Sequence, residues 1–239
     1  MKELKLTLNF EETMSNDVSV MVDALRASTT ITIALDKYEK IVPVLTKEKA
    51  KKVAIEENGV LAGERTGTKI NGFELGNSPI AIQKYKTDLK TLILTTSNGT
   101  RILNGMKSKV LIGSLINSQA VGKACLKLAN SHIDVVMAGV KGDFAIEDYL
   151  VSGYIIRSIE KEFKKNKTKF KSLDNSEYAQ SAVLGSENYE LVKKSIYNSK
   201  SSNRLKELGY QEDIDFSLQR NISNNVGIYE NNEIRKLNV

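Results

Sequence analysis

The chain has 239 residues, 41% hydrophobic and 27% charged, with 35 basic against 29 acidic side chains and a net charge of +6. That length suits one large or two small domains with a buried core, and no stretch approaches the roughly 20 apolar residues that span a bilayer. The single Cys125 allows no internal disulfide and fits a reducing cytoplasm.

The first ten residues, MKELKLTLNF, alternate Leu4, Leu6 and Leu8 with polar residues. They read as a strand and not as a signal peptide, which needs an unbroken apolar region. Strand-like segments follow at residues 17–23, 41–45, 60–62, 91–96, 109–113 and 133–139. Most are continuous apolar runs, as expected for strands buried on both faces. Helical patterns lie between them. Thr46 can cap a helix that ends at Asn58-Gly59, with Ala50, Val53 and Ala54 facing inward. Asn117 or Ser118 can cap another, whose apolar face is Val121, Ala124, Cys125 and Leu128. A third starts near Ile146 and carries Val151, Ile155 and Ile159. The alternation predicts an α/β fold, a mostly parallel or mixed sheet covered by helices.

The lysine run at residues 161–171 reads as a solvated helix end that complements the helix dipole, so no nucleic-acid partner is expected. Farther on, helices are expected at residues 187–198 and 203–208. VGIYENNEIRKL reads as a hairpin turning at Asn231-Asn232. The chain is taken as one domain over residues 1–239, with a smaller C-terminal lobe or an extension of the sheet edge from about residue 166.

Four polar loops fall at carboxyl ends of these strands, where open α/β sheets bind ligands. They are VDALRASTT from Val22, GERTGTKINGFELGNSP from Gly63, SNGTR from Ser97 and GVKGDFAIED from Gly139. Parallel strands would bring them together. The second is not a phosphate loop of the form G-x-x-x-x-G-K-[ST]. Gly63 and Gly67 are one residue too close, Lys69 does not follow the second Gly, and Ile70 replaces the hydroxyl.

Arg26, Arg65, Lys69 and Arg101 can bind phosphate or carboxylate. Backbone amides around Asn98-Gly99-Thr100, at a strand-to-helix turn, suit an anion. Asp23, Glu64, Asp143, Glu147 and Asp148 are too many acids for a pure anion site. Acids and bases together point to a divalent cation beside an anionic ligand, as in phosphoryl transfer. His132 begins its strand, at the opposite end from the loops, and Cys125 lies mid-helix on an apolar face. The remaining donors are oxygens, which suit Mg²⁺. Singly each feature has a plainer reading: Asn98-Gly99 as a tight turn, Glu147-Asp148 as dipole complements, Asp23 and Arg26 as a surface pair. Asp213-Ile214-Asp215-Phe216-Ser217 approximates the D-x-D-x-[TV] phosphatase motif. It lacks the hydrophobic strand before it and reads better as a short amphipathic helix.

Together the loops resemble one family, the 2-phosphosulfolactate phosphatases associated with coenzyme M biosynthesis. The residues that carry the likeness are Asp23 with Leu25 to Thr30, Gly63-Glu64-Arg65 through Gly72-Phe73 and Gly76 to Pro79, Thr96 to Arg101, and Ala138-Gly139 through Glu147-Asp148. A fainter match runs from Leu205 to Asp213. Met137 stands where the family often has Cys, so a cysteine there is not essential in this chain. The resemblance implies an α/β phosphomonoesterase dependent on Mg²⁺ that converts (R)-2-phospho-3-sulfolactate to 3-sulfolactate and phosphate. On that reading Asp23, Glu64 and Arg101 are catalytic candidates, and Asp23, Glu147 and Asp148 hold the metal. Arg26, Arg65, Lys69, Asn77, Ser97, Asn98, Gly99 and Thr100 bind a small anionic phosphorylated substrate. A cytoplasmic enzyme with no membrane partner is expected, and a homo-oligomer is left open. The alternative is a non-catalytic binding protein for a phosphorylated metabolite, which would need the cations but not the acids.

Overall fold

All of the strand-like runs become strands of one sheet. The computed structural model describes residues 2–166 and 168–238. In chain order its first half contains β1 (Lys2–Phe10), β2 (Val18–Val22), α1 (Ala27–Ala34), β3 (Lys40–Pro43), α2 (Lys47–Glu56), β4 (Val60–Arg65), β5 (Thr68–Lys69), α3 (Pro79–Lys84), β6 (Thr91–Thr95) and α4 (Gly99–Leu103). Then come β7 (Lys109–Gly113), α5 (Ser118–Leu128), β8 (His132–Met137), α6 (Ile146–Lys165) and β9 (Phe170–Asn175). The chain continues through α7 (Glu177–Gly185), α8 (Tyr189–Tyr197), α9 (Lys200–Glu207), α10 (Gln211–Ser217) and the hairpin β10 (Gly227–Glu230) to β11 (Glu233–Lys236).

Local signals set several boundaries. Thr46 caps α2 by accepting from the Lys49 amide at 3.1 Å. Asn231 and Asn232 both take positive φ, which makes the hairpin turn of the primed type that matches strand twist. Asn117 precedes α5 without a side-chain cap. Its carboxamide instead closes a capping box with Ser114 on the 3-10 turn ahead of the helix. Helix α9 begins at Lys200, earlier than its apolar pattern suggested, because the Ser199 hydroxyl accepts from the Ser202 amide at 3.2 Å.

The sheet is mixed, in the order β5-β4-β6-β3-β11-β10-β7-β2-β8-β1-β9. Strands β4, β6 and β3 are mutually parallel, as are β7, β2, β8, β1 and β9. The C-terminal hairpin sits between these halves and pairs antiparallel with both β3 and β7. It is therefore central to the sheet, where its edges are satisfied on both sides, and not an edge extension. Its insertion also reverses polarity between the two parallel halves.

Core packing follows the period-2 alternation of strands. Val18, Val20, Val22, Ile133 and Val135 face a core with Leu4, Leu6 and Leu8 under α5, α6 and α7. Met21, Val110, Ile112 and Val136 face a second core shared with Ile41, Leu92 and Leu94 of the other half. All eight residues of α1 are buried. The run Ala27-Ser28-Thr29-Thr30-Ile31-Thr32 is rich in β-branched residues, poor helix formers in isolation. Tertiary burial overrides that preference, and the sequence pattern did not mark α1.

Helices α6 and α7 approach closely at Gly153. A Cβ there would lie 2.1 Å from the Ala182 carbonyl oxygen and 2.6 Å from Ser186 Oγ. Gly153→Ala is therefore expected to cost about 2–3 kcal/mol, the scale of overpacking against atoms that cannot retreat. Urea unfolding would measure it, and an unchanged midpoint would show that the helices separate freely.

Candidate active site

The strand-end loops meet because the sheet curls. Strands β6 and β2 are five positions apart in the sheet order, which is about 24 Å in a flat sheet at about 4.8 Å per strand. Yet the Gly99 amide, after β6, donates to Asp23 Oδ2, after β2, at 3.0 Å. The loop after β8 joins them, with the Lys141 amide donating to Asn98 Oδ1 at 3.1 Å. β6 and β2 run in opposite directions, so their carboxyl ends meet across a twisted sheet whose halves share the core around α1, not along one edge of parallel strands.

The loops enclose a cavity of about 620 Å³. Asp23, Arg26, Glu64, Asn77, Ser97, Asn98, Asp143 and Glu147 line it, so the structure brings these sequence-derived candidates together. Lys141 from the β8–α6 loop and Lys200, Ser201 and Arg204 from α9 complete the wall. The apolar rim includes Val140, Phe144 and Ile146, all exposed.

Six candidates do not line this cavity. Arg65 turns away to donate to the Glu64 and Leu45 carbonyls, at 2.7 and 2.8 Å, and to Thr95 Oγ1 at 2.9 Å. These bonds brace the strand ends and leave its guanidinium off the cavity wall. Lys69 is exposed on β5 and lays its stem along Gly76. Arg101 is on the exposed side of α4, paired with Glu11. The Gly99 and Thr100 amides are committed to Asp23 and Thr96 Oγ1, and the Ser97 amide to Glu64 Oε1 at 2.6 Å. The expectation that these three amides hold an anion is corrected by their partners: they hold carboxylate and hydroxyl oxygens of the protein. Asp148 sits behind the wall. Its two oxygens accept from the Ala24 and Gly139 amides, at 2.8 and 2.9 Å, and fasten the β2–α1 loop to the β8–α6 loop.

The four acids differ in what remains free. Glu64 receives the Gly67 amide at 2.7 Å, the Ser97 amide and the Ser97 hydroxyl. The Gly67 bond needs the β4–β5 turn, in which Thr66 and Gly67 both have positive φ. Asp23 accepts one amide on each oxygen, from Ala27 at 3.2 Å and from Gly99. An ionised carboxylate offers about four acceptor sites, so Asp23 keeps capacity toward the cavity. Glu147 is 3% exposed, and no hydrogen bond from a described residue reaches its carboxylate. Burial, together with the charges of Glu64 and Glu147, pushes the Asp23 carboxyl from 3.8 up to about 7, against the pull of its amide bonds. Burial and the charges of Asp23 and Glu147 raise Asp148 as well.

Among the described residues no group of three or more His, Cys, Asp or Glu side chains is arranged to hold a metal ion by itself. Asp23 and Glu147 are two cavity-lining carboxylates with spare acceptor sites. That donor set fits Mg²⁺, which is commonly held by one or two carboxylates, substrate phosphate and water. Asn77 is 4% exposed and its Oδ1 has no hydrogen-bond partner among the described residues. A buried amide oxygen of this kind is costly.

Sequence patterns did not single out Lys141, Lys200 or Arg204. A basic residue on a surface helix or loop has the same local pattern whether solvent or a ligand faces it. No helix among the described residues is long and apolar enough to cross a membrane.

Comparison with known proteins agrees with the geometry. The family model for 2-phosphosulpholactate phosphatase matches residues 6–232. The 2-phosphosulfolactate phosphatase of Methanothermobacter thermautotrophicus is 40% identical over 231 residues, covering 97% of this chain and 95% of that protein. The probable 2-phosphosulfolactate phosphatase of Clostridium acetobutylicum is 37% identical over 229 residues, covering 94% of each. A protein of the same probable designation from Clostridium perfringens is 34% identical over 232 residues, covering 94% and 90%. With its loops converging on one acid-and-base cavity and this likeness running nearly end to end, the chain belongs to the 2-phosphosulpholactate phosphatase family.

Proposed function

We propose that this protein is a phosphatase that hydrolyses 2-phospho-3-sulfolactate, or a closely related 2-phospho-oxy acid, with Mg²⁺ held by Asp23 and Glu147. The observation that carries this reading is the polarity of the cavity. Its acidic part is Asp23, Glu64, Asp143 and Glu147, and its basic part is Arg26, Lys141, Lys200 and Arg204. A substrate with a phosphate and two further anionic groups needs several cations, and its phosphate can approach these carboxylates only beside a metal ion. The names of the relatives support the substrate; the donor set of Asp23 and Glu147 supports the metal.

When bound, Mg²⁺ supplies positive charge that polarises the phosphoryl group and balances charge developing on its oxygens. The protein's own groups do the rest. Glu64, fixed by two amides and a hydroxyl, holds the β4–β5 turn and the Ser97 loop at a set distance. Asp148 does the same for the loops that carry Asp23 and Glu147. Such preorganisation avoids reorganisation during the reaction. Asn77 offers a side-chain amide to the ligand, and Arg26 offers a guanidinium to its non-reacting anionic end.

Phosphate release from a panel of 2-phospho-acids tests the reading. Release from 2-phospho-3-sulfolactate is expected to exceed that from 2-phospholactate, which lacks the sulfonate. Removing Mg²⁺ with EDTA is expected to lower it at least ~100-fold. No release from any member with any divalent metal would refute the proposal.

A further inference from the structure

The Asp213 segment, which approximates a phosphatase motif without its strand, forms α10 and takes on another task. Asp213 is 2% exposed although it carries a carboxylate. Its Oδ2 accepts from Arg26 Nη1 at 2.5 Å. Its Oδ1 accepts from the Ser78 hydroxyl at 2.7 Å and the Ile80 amide at 3.4 Å. Arg26 Nη2 donates to the Gly67 carbonyl at 3.0 Å, and the guanidinium lies 4.3 Å from the centre of the Tyr210 ring. Arg26 itself is 2% exposed and lines the cavity.

A buried ion pair is weak evidence for stability, because a well-packed apolar pair in its place is often at least as stable. What this arrangement specifies is orientation. The ring of Tyr210 stacks against the guanidinium, one N–H is held by Asp213 and another by Gly67. Of five N–H donors, three remain. Four chain segments, the turn after β2, the β4–β5 turn, the start of α3, and Tyr210 with α10, converge to hold one cation. Arg26 alone among the cavity's basic side chains is almost wholly buried; Lys141, Lys200 and Arg204 are exposed.

We infer that Asp213 is a positioning residue that sets the Arg26 guanidinium, with Tyr210 behind it, to receive the non-reacting carboxylate or sulfonate of the substrate. The inference rests on the phosphatase reading above. It assigns the C-terminal segment a part in substrate recognition: α9 contributes to the cavity wall, and α10 with Tyr210 aims its buried cation. Guanidinium forks suit two oxygens of one carboxylate or sulfonate.

Asp213→Asn keeps the shape and the Oδ1 acceptor while removing the charge. It is expected to raise KM for 2-phospho-3-sulfolactate at least ~10-fold with kcat within about threefold of the parent. Calorimetric titration with 3-sulfolactate should show a similarly weaker Kd, while inhibition by inorganic phosphate stays as in the parent. In an Arg26→Lys background the same substitution should add less than about twofold, because residues acting through one another are not additive. Tyr210→Leu leaves the ion pair and carries the test if Asp213→Asn does not fold; a KM raised several-fold at constant kcat is expected. Should the folded variants bind 3-sulfolactate as the parent does, or add their full effect to Arg26→Lys, the positioning role is wrong while the phosphatase reading stands. If the parent neither hydrolyses 2-phospho-3-sulfolactate nor binds 3-sulfolactate, both fall together.

Discussion

Glu147→Gln is expected to lower kcat by ~100-fold to ~1000-fold and to raise the Mg²⁺ concentration needed for half-maximal rate, with Tm close to that of the parent. The loss expected on removing one charge-stabilising group from a water-poor site is of this order. Glu147 is the acid for which that effect is cleanest. It opens α6 and faces the cavity, and its carboxylate accepts no hydrogen bond from the described residues. Gln keeps the volume and one oxygen, so it leaves no orphaned partner behind. The contrast is Asp148, whose oxygens fasten two loops and whose loss would disturb structure and activity together. Steady-state kinetics across a Mg²⁺ titration, with thermal melts of the same samples, make the check. A variant with parental kcat and parental Mg²⁺ demand would remove Glu147 from the site chemistry.

Asp23→Asn has the second large effect, and it separates chemistry from stability. Turnover is expected to fall ~100-fold or more, because the substitution removes one of two proposed metal ligands. Stability without metal should move the other way. In the folded protein the Asp23 carboxyl lies at about 7, raised from 3.8 first by burial and then by Glu64 and Glu147. The folded state therefore holds this proton more tightly than the unfolded state. Its contribution to stability is fully present below pH 3.8 and is lost as pH rises through 7. Carrying the carboxyl that far corresponds to on the order of 4 kcal/mol, shared among the coupled acids of the cluster. Asn cannot ionise and avoids the loss, which outweighs the about 1–3 kcal/mol for orphaning one of the two amides that Asp23 accepts. In EDTA at pH 8 the variant should melt above the parent, and near pH 4 the order should reverse. At pH 8 Mg²⁺ should raise the parent's Tm and leave that of the variant nearly unchanged. Parallel stability profiles for the two proteins in EDTA would rule out an electrostatically strained Asp23.

The fold class was readable because burial leaves periodic marks. Val18 to Val22 and Thr91 to Thr95 are covered on both faces and show it as runs that do not alternate with charged residues. Thr46 announced α2, and Asn231-Asn232 announced the final turn. Helix α1 was not readable, since Ser28, Thr29, Thr30, Ile31 and Thr32 have strand-like propensity and become helical only by packing inside the curl. The same distinction runs through the site. Asp23, Glu64, Asn77, Ser97, Asn98 and Glu147 were legible from acidic and polar residues at strand ends. The partners of Arg65 and Arg101 were not, because a guanidinium reaches several neighbours and only tertiary placement decides among them.

By itself the sequence determined the strand runs, most of the helices, and which polar loops line the cavity, since these depend on residues near one another along the chain. Tertiary structure alone decided that β10 and β11 enter the middle of the sheet and reverse its polarity. It also decided that the sheet curls enough to bring Gly99 against Asp23, and that Asp213, 187 residues beyond Arg26, holds its guanidinium. Those contacts join segments far apart in the chain. The free energy that selects them comes from burying surfaces against one another, which no local pattern records.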